Sequence, residues 1–154
     1  MKKALRSAAL GLLVAFMAVQ FIRSPRNAGI SEGPSSIGTV HPVPADVRQI
    51  LSRACYDCHS DKTHYPWYAS VQPVGWWLNR HVTAGKGELN FSAFATYNTK
   101  RAVRRLQAVA DEVTERRMPL KSYLLMHGEA KLTAADIALV ARWAENLAAE
   151  LEPR

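Results

Sequence analysis

Only two cysteines, Cys55 and Cys58, occur in the 154 residues of the chain. So few thiols exclude a disulfide-framework scaffold, which needs several bridges. They also exclude a four-thiol zinc site. Strand-forming runs are lacking too: no convincing stretch alternates apolar and polar residues with period two. There is no internal repeat. Strong charge of one sign is absent, with 20 Lys and Arg against 13 Asp and Glu giving a net +7. Part of that excess is local, because Lys2, Lys3 and Arg6 precede an apolar run and removing them leaves +4. Mild basicity suits an acidic protein partner or an anionic membrane surface and does not by itself indicate nucleic acid. Hydrophobic residues make up 48% of the chain, which is enough for a core and rules out a disordered polymer.

The start, MKKALRSAALGLLVAFMAVQFIRSPR, has a positive head and an apolar stretch over residues 8–22 broken only by Gln20. This patterning predicts an export segment over residues 1–23, a signal peptide or signal anchor. No small-x-small cleavage site follows, which favours a retained anchor. As a helix the stretch is about 22 Å long, short of the roughly 30 Å hydrocarbon core. Arg6 and Arg23 could snorkel at its ends. The expected location is the periplasmic side of the bacterial inner membrane, anchored there or secreted to the periplasm. Residues 24–44 are rich in Pro, Gly and Ser and lack a period, so they read as a flexible linker.

Residues 45–152 carry helical periodicity. Val47, Ile50, Leu51 and Ala54 share one face, and that run delivers Cys55 at its end. A loop rich in Pro and aromatics follows. A second helix is expected over residues 74–84, with Val74, Trp77, Leu78, His81 and Val82 in a stripe and Gly85 and Gly87 ending it. Asn90 caps a short helix in NFSAF. A longer helix is expected over residues 99–116, with Val103, Leu106, Ala110 and Val113 inward. Pro119 then breaks the ladder. Thr133, with Asp136 three residues on, starts the last helix. Its seam is Ile137, Val140, Ala144, Leu147 and Leu151. The fold class is all-α, with four or five helices.

Cys55, Cys58 and His59 form a C-x-x-C-H motif. Four chemistries compete for it. Haem attachment uses two thiols across the two vinyl groups and the next imidazole as an axial iron ligand. Structural zinc wants four ligands, and His59 and His64 would complete them only awkwardly. A thioredoxin-like dithiol sits between a strand and a helix, and no strand precedes Cys55. A plain disulfide closing so short a loop gains little entropy. Haem attachment fits best.

The blocks CYDCHSDKTHYPWY, PVGWWLNRHVTAGKGELNFSAF and RRMPLKSYLLMHGEAKLT, in this order and spacing, resemble the bacterial haem-binding domain family, exported relatives of small c-type cytochromes. The resemblance runs over residues 45–143. It implies a cytochrome-like bundle around one covalent haem c, held at Cys55 and Cys58 with His59 as proximal ligand. It names no electron partner.

For the other face of the iron, Met118 is the leading candidate, in a loop just after a helix as in small c-type cytochromes. A thioether there would raise the reduction potential. His81, on the Trp77 and Leu78 stripe, is the alternative distal ligand. Pro66 and Pro73 lie where a backbone carbonyl could accept from the proximal imidazole. Trp67, Trp76, Trp77, Tyr65, Tyr123 and Arg80 could donate to haem propionates. Arg101, Arg104 and Arg105 read as one solvated face, and as a docking patch for an acidic redox partner. The function expected is mono-haem electron transfer without substrate chemistry. The alternatives are a haem-based sensor of a small ligand and, less favoured, a haem peroxidase. The partners expected are redox proteins, the cytochrome c maturation machinery and the inner membrane, with no nucleic acid.

Overall fold

The computed structural model describes residues 1–152. Eight α-helices and three short 3-10 turns make up its elements, and no strand occurs among the described residues. The helices are α1 (Lys2–Val19), α2 (Ile37–Val40), α3 (Ala45–Ala54), α4 (Tyr56–His59), α5 (Val74–Glu88), α6 (Thr99–Thr114), α7 (Lys121–Leu124) and α8 (Ala134–Leu151). An all-α bundle was expected, and α3, α5, α6 and α8 are the helices the periodicity marked.

The principal pairing is α6 against α8. Val103, Leu106, Ala110 and Val113 recur at intervals of three and four on α6 and are all buried. On α8 the buried set includes Val140, Trp143, Ala144 and Leu147. The small Ala110 and Ala144 let the helices approach, in the ridge-and-groove manner of helix pairs. Helix α3 lays Val47, Ile50 and Leu51 on the same core and contacts α8. A capping box closes the start of α8: the Thr133 side chain accepts from the Asp136 N–H, and the Asp136 carboxylate accepts from the Thr133 N–H.

Two helix ends differ from expectation. Helix α5 runs through Gly85 and Gly87 to Glu88 instead of stopping before them. Gly85 is where α5 presses on the Cys58 backbone, so this glycine serves close approach and not termination. Helix α6 stops at Thr114, ahead of Pro119, because Arg116 takes a left-handed backbone at φ 55°. The Arg117 N–H then reaches the Glu112 carbonyl and the Arg116 N–H reaches Val113, the paired bonds of a Schellman stop.

The expectation of a membrane anchor is corrected. No helix among the described residues is long and apolar enough to cross a membrane. Helix α1 ends at Val19, and its 18 residues include Lys2, Lys3 and Arg6, so the apolar portion falls short of a span. The location inferred from it, the periplasmic side of the inner membrane, loses its basis.

The stretch taken as a flexible linker makes specific contacts. Ile37 is fully buried in the core. Asn27 bridges three segments: its Nδ2 donates to the Ser60 carbonyl and Thr63 Oγ1, and its Oδ1 accepts from Lys86 Nζ at 2.8 Å. Just ahead of that stretch, Gln20 exchanges two hydrogen bonds with the Gln72 backbone. Trp76 donates its indole N–H to the Ile22 carbonyl. Composition suggested an open chain, but single residues such as Ile37 and Asn27 fasten this one.

Candidate haem site

The site is built on one turn of helix. The N–H groups of Cys58 and His59 both bond the Cys55 carbonyl, so α4 closes around the motif. One turn carries all three residues, with Cys55 and His59 lining one cavity and Cys58 lining another. Both cysteines are free and half-buried. Burial pushes the Cys55 thiol up to about 12, reinforced by the neighbouring Cys58, and the Cys58 thiol up to about 11. Each is therefore a neutral thiol at neutral pH, slow to react on its own.

His59 Nδ1 lies 3.0 Å from the Leu89 carbonyl, at the end of α5. Burial lowers the imidazole's affinity for a proton, opposed by the carbonyls of Leu89 and Gly85. With Nδ1–H donating, the lone pair sits on Nε2, the form a metal-binding imidazole takes. The carbonyl expected from the Pro66 or Pro73 loop comes instead from Leu89. A backbone acceptor leaves no mark in side-chain sequence.

Two cavities flank the motif. The larger, about 300 Å³, is lined by Cys55, His59, Leu89, Phe91, Val109 and Met118, among others, and is mostly apolar. The smaller, about 80 Å³, lies on the Cys58 side between Leu78 and Val82 of α5 and Tyr123 beyond α6. The structure thus brings His59, Cys55 and Met118 to one cavity. Met118 is placed by the Schellman stop, its N–H also reaching the Glu112 carbonyl.

His81 is not brought there. It lines the smaller cavity, with its ring 4.2 Å from that of Trp77 and its Nδ1 bonded to the Trp77 carbonyl. The Tyr65 hydroxyl accepts from the Asn27 N–H and keeps its own proton to donate. Two other expected donors are already committed. The Tyr123 hydroxyl donates to Asp57, and Trp76 serves Ile22. Trp67 is 80% exposed.

Arg105 is the residue that sequence reasoning missed. Arg101 and Arg104 are exposed as expected, but Arg105 is half-buried and lines the larger cavity. Its guanidinium pairs with Glu88, and its Nε is buried without a hydrogen-bond partner. A buried donor without an acceptor is uncommon and costly. A carboxylate entering the cavity, such as a haem propionate, would satisfy it. Arg105, Val109 and Glu112 recur at helical spacing and all line the cavity, a signal that could have placed Arg105 on that side of α6.

An apolar cavity, a pinned imidazole, a thioether and an unpartnered guanidinium nitrogen fit a haem. Among the described residues no cluster of three or more His, Cys, Asp or Glu could hold a bare metal ion. The absence of strands beside the motif likewise removes the thioredoxin-like setting. Fold and site together define an all-helical haem-binding protein.

The model of the haem-binding domain family matches residues 14–146, and the chain belongs to that family. The match starts earlier than the blocks recognised from residue 45 and takes in the segment fastened by Asn27 and Ile37. No curated protein and no solved structure matches the chain.

Proposed function

We propose that the chain carries one covalently attached haem c and acts as an electron carrier. The observation that carries this reading is the meeting of His59, Cys55 and Met118 in one apolar cavity, with His59 Nδ1 already held by Leu89. Bound haem supplies an iron that cycles between ferrous and ferric states. Cys55 and Cys58, one turn apart, would form the two thioethers. His59 presents Nε2 as the proximal ligand, and its bond to Leu89 fixes the ring plane and raises its basicity. Met118 offers its sulfur as the distal ligand, which favours the ferrous state. Arg105 would take a propionate. The mostly apolar walls would limit water around the iron, so that little would have to rearrange on electron transfer.

The sensor and peroxidase readings need an open distal face. Met118 beside that face counts against both, as does the engagement of His81 with Trp77 in the other cavity. Electrons would be exchanged with redox proteins, and the haem attached by the cytochrome c maturation machinery.

The full chain, co-expressed with that machinery, tests the reading. Pigment should stay with the denatured protein in acidified organic solvent, and Cys55→Ser with Cys58→Ser should release it. The ferrous form should bind carbon monoxide slowly, and Met118→Ala should make that binding fast. Extractable pigment in the parent protein would overturn covalent attachment. Fast carbon monoxide binding by the parent would overturn the carrier in favour of the sensor.

A further inference from the structure

The two sides of the cavity belong to separate parts of the chain. The attachment turn supplies Cys55 and His59, while its Cys58 lines the smaller cavity. The distal side is supplied by Met118 and Pro119, at the start of the segment from Met118 to His127, which contains α7. Its backbone bonds run back to Glu112 or close on themselves, as Tyr123 and Leu124 do on Leu120, and Met126 and His127 on Tyr123. His127 also turns its Nδ1 to the Tyr123 carbonyl and stacks its ring on Tyr123 at 4.0 Å. Leu125 and Met126 are exposed. The Ala130 N–H bonds the His127 carbonyl at the downstream end. Among the described residues, one side-chain hydrogen bond ties this segment to the attachment turn: the Tyr123 hydroxyl donates to Asp57 Oδ2 at 2.9 Å.

Asp57 stands between the two cysteines. Its other carboxylate oxygen accepts from the His64 N–H and lies 3.1 Å from His64 Nδ1, and its carbonyl accepts from Thr63 Oγ1. The carboxylate is therefore fixed before Tyr123 reaches it. A hydrogen bond to a charged acceptor in a half-buried setting is among the stronger ones.

We propose that Tyr123 is a positioning residue for the distal ligand, acting through Asp57 as a latch that holds the Met118 segment closed over the attachment turn. This rests on the reading of Met118 as the distal ligand. With the latch made, the thioether stays at the iron. With it broken, the segment keeps its backbone bonds at the two ends but no side-chain hydrogen bond to the attachment turn, and the sulfur leaves often enough for a small ligand to enter. The middle residues of the C-x-x-C spacing thus do more than set the distance between the thiols, since one of them ties the proximal side to the distal side.

The test uses the haem-loaded full chain and follows carbon monoxide binding to the ferrous form, with the reduction potential as a second readout. Tyr123→Phe keeps the ring and its stack on His127, so the fold is retained. It should speed carbon monoxide binding by about tenfold, the scale of one charge-assisted hydrogen bond, and lower the potential. Asp57→Ala removes the acceptor and should give the same rise. The double variant should exceed neither, because both remove one bond. If Met118→Ala opens the site while Tyr123→Phe leaves the rate and potential unchanged, the latch is overturned and the ligand stands. Additive effects of the two latch variants would also overturn it. If Met118→Ala changes nothing, the ligand reading fails and the latch with it.

Discussion

Gly85 meets the carbonyl of Cys58 so closely that a Cβ on it would lie 2.7 Å from the oxygen. Four residues further along the chain, where the same helix ends, the Leu89 carbonyl takes His59 Nδ1. Helix α5 therefore sets both the height of the attachment turn and the direction of the imidazole. The contact is backbone against backbone, so no side chain can swing aside to admit a methyl group.

Gly85→Ala should push α5 off the turn and cost about 1–3 kcal/mol, as overpacking does. The separation of Leu89 from His59 should grow with it. Thermal unfolding of the haem-loaded variant measures the first effect. A shift in the spectrum and potential toward a less basic proximal imidazole measures the second. Gly87, which has open space around it, serves as the control and should tolerate Ala.

Arg116 offers a change in the opposite direction. It holds φ at 55°, a conformation that costs most residues about 1–2 kcal/mol and costs glycine none of that steric penalty. Glycine loses more backbone entropy on folding. Arg116→Gly should therefore stabilise the protein by a net of about 0.5–1 kcal/mol. Denaturant unfolding checks the gain. Because the Schellman stop is retained, Met118 should keep its position and the haem spectrum should not change.

The parts legible in the sequence were those written in side-chain type and period. Val103, Leu106, Ala110 and Val113 announced the buried face of α6, and Thr133 with Asp136 announced the start of α8. The C-x-x-C-H spacing pointed to haem, the group that the family match supports. What escaped was carried by the backbone or by single residues. The Leu89 carbonyl has no sequence signature. Arg116 does not look like a helix stop, since a glycine usually fills that place, and Pro119 drew attention instead. Gly85 read as a terminator because a glycine in a helix and one after a helix look alike until the neighbour is known. Residues 24–44 read as a linker because their average composition hides Ile37 and Asn27. The N-terminal apolar run read as an anchor because snorkelling by Arg6 and Arg23 was allowed to make up for its short length, whereas no helix among the described residues is long and apolar enough to span.

Asn27 tests how firmly that segment is held. One side chain donates to the fully buried Ser60 and the half-buried Thr63 and accepts from the half-buried Lys86. Asn27→Ala leaves those partners to water or to each other and should cost about 1–3 kcal/mol. The loss should appear in the cooperative unfolding transition of the whole protein, because the segment is part of the fold. A freely moving linker would give no change in the transition midpoint.

Asp136 predicts a dependence on acidity. Its carboxylate is held below the usual range, first by the Thr133 N–H and also by the Thr133 hydroxyl and Arg53. Arg53 Nη2 lies 2.8 Å from the same oxygen, so the group ties α8 to α3. A carboxyl whose folded-state pKa is depressed binds its proton less readily in the folded chain than in the unfolded one. Its stabilisation is therefore complete above the unfolded value, near 4, and declines as pH falls through the folded one. Asp136→Ala removes both the cap and the tie and should cost about 1–2 kcal/mol at pH 7. As pH drops below about 4 the parent protein should lose this advantage, and the two stability curves should draw together. Urea midpoints measured from pH 7 to pH 3 follow that difference. A gap that stayed constant across the range would mean that Asp136 acts through packing and not through its charge.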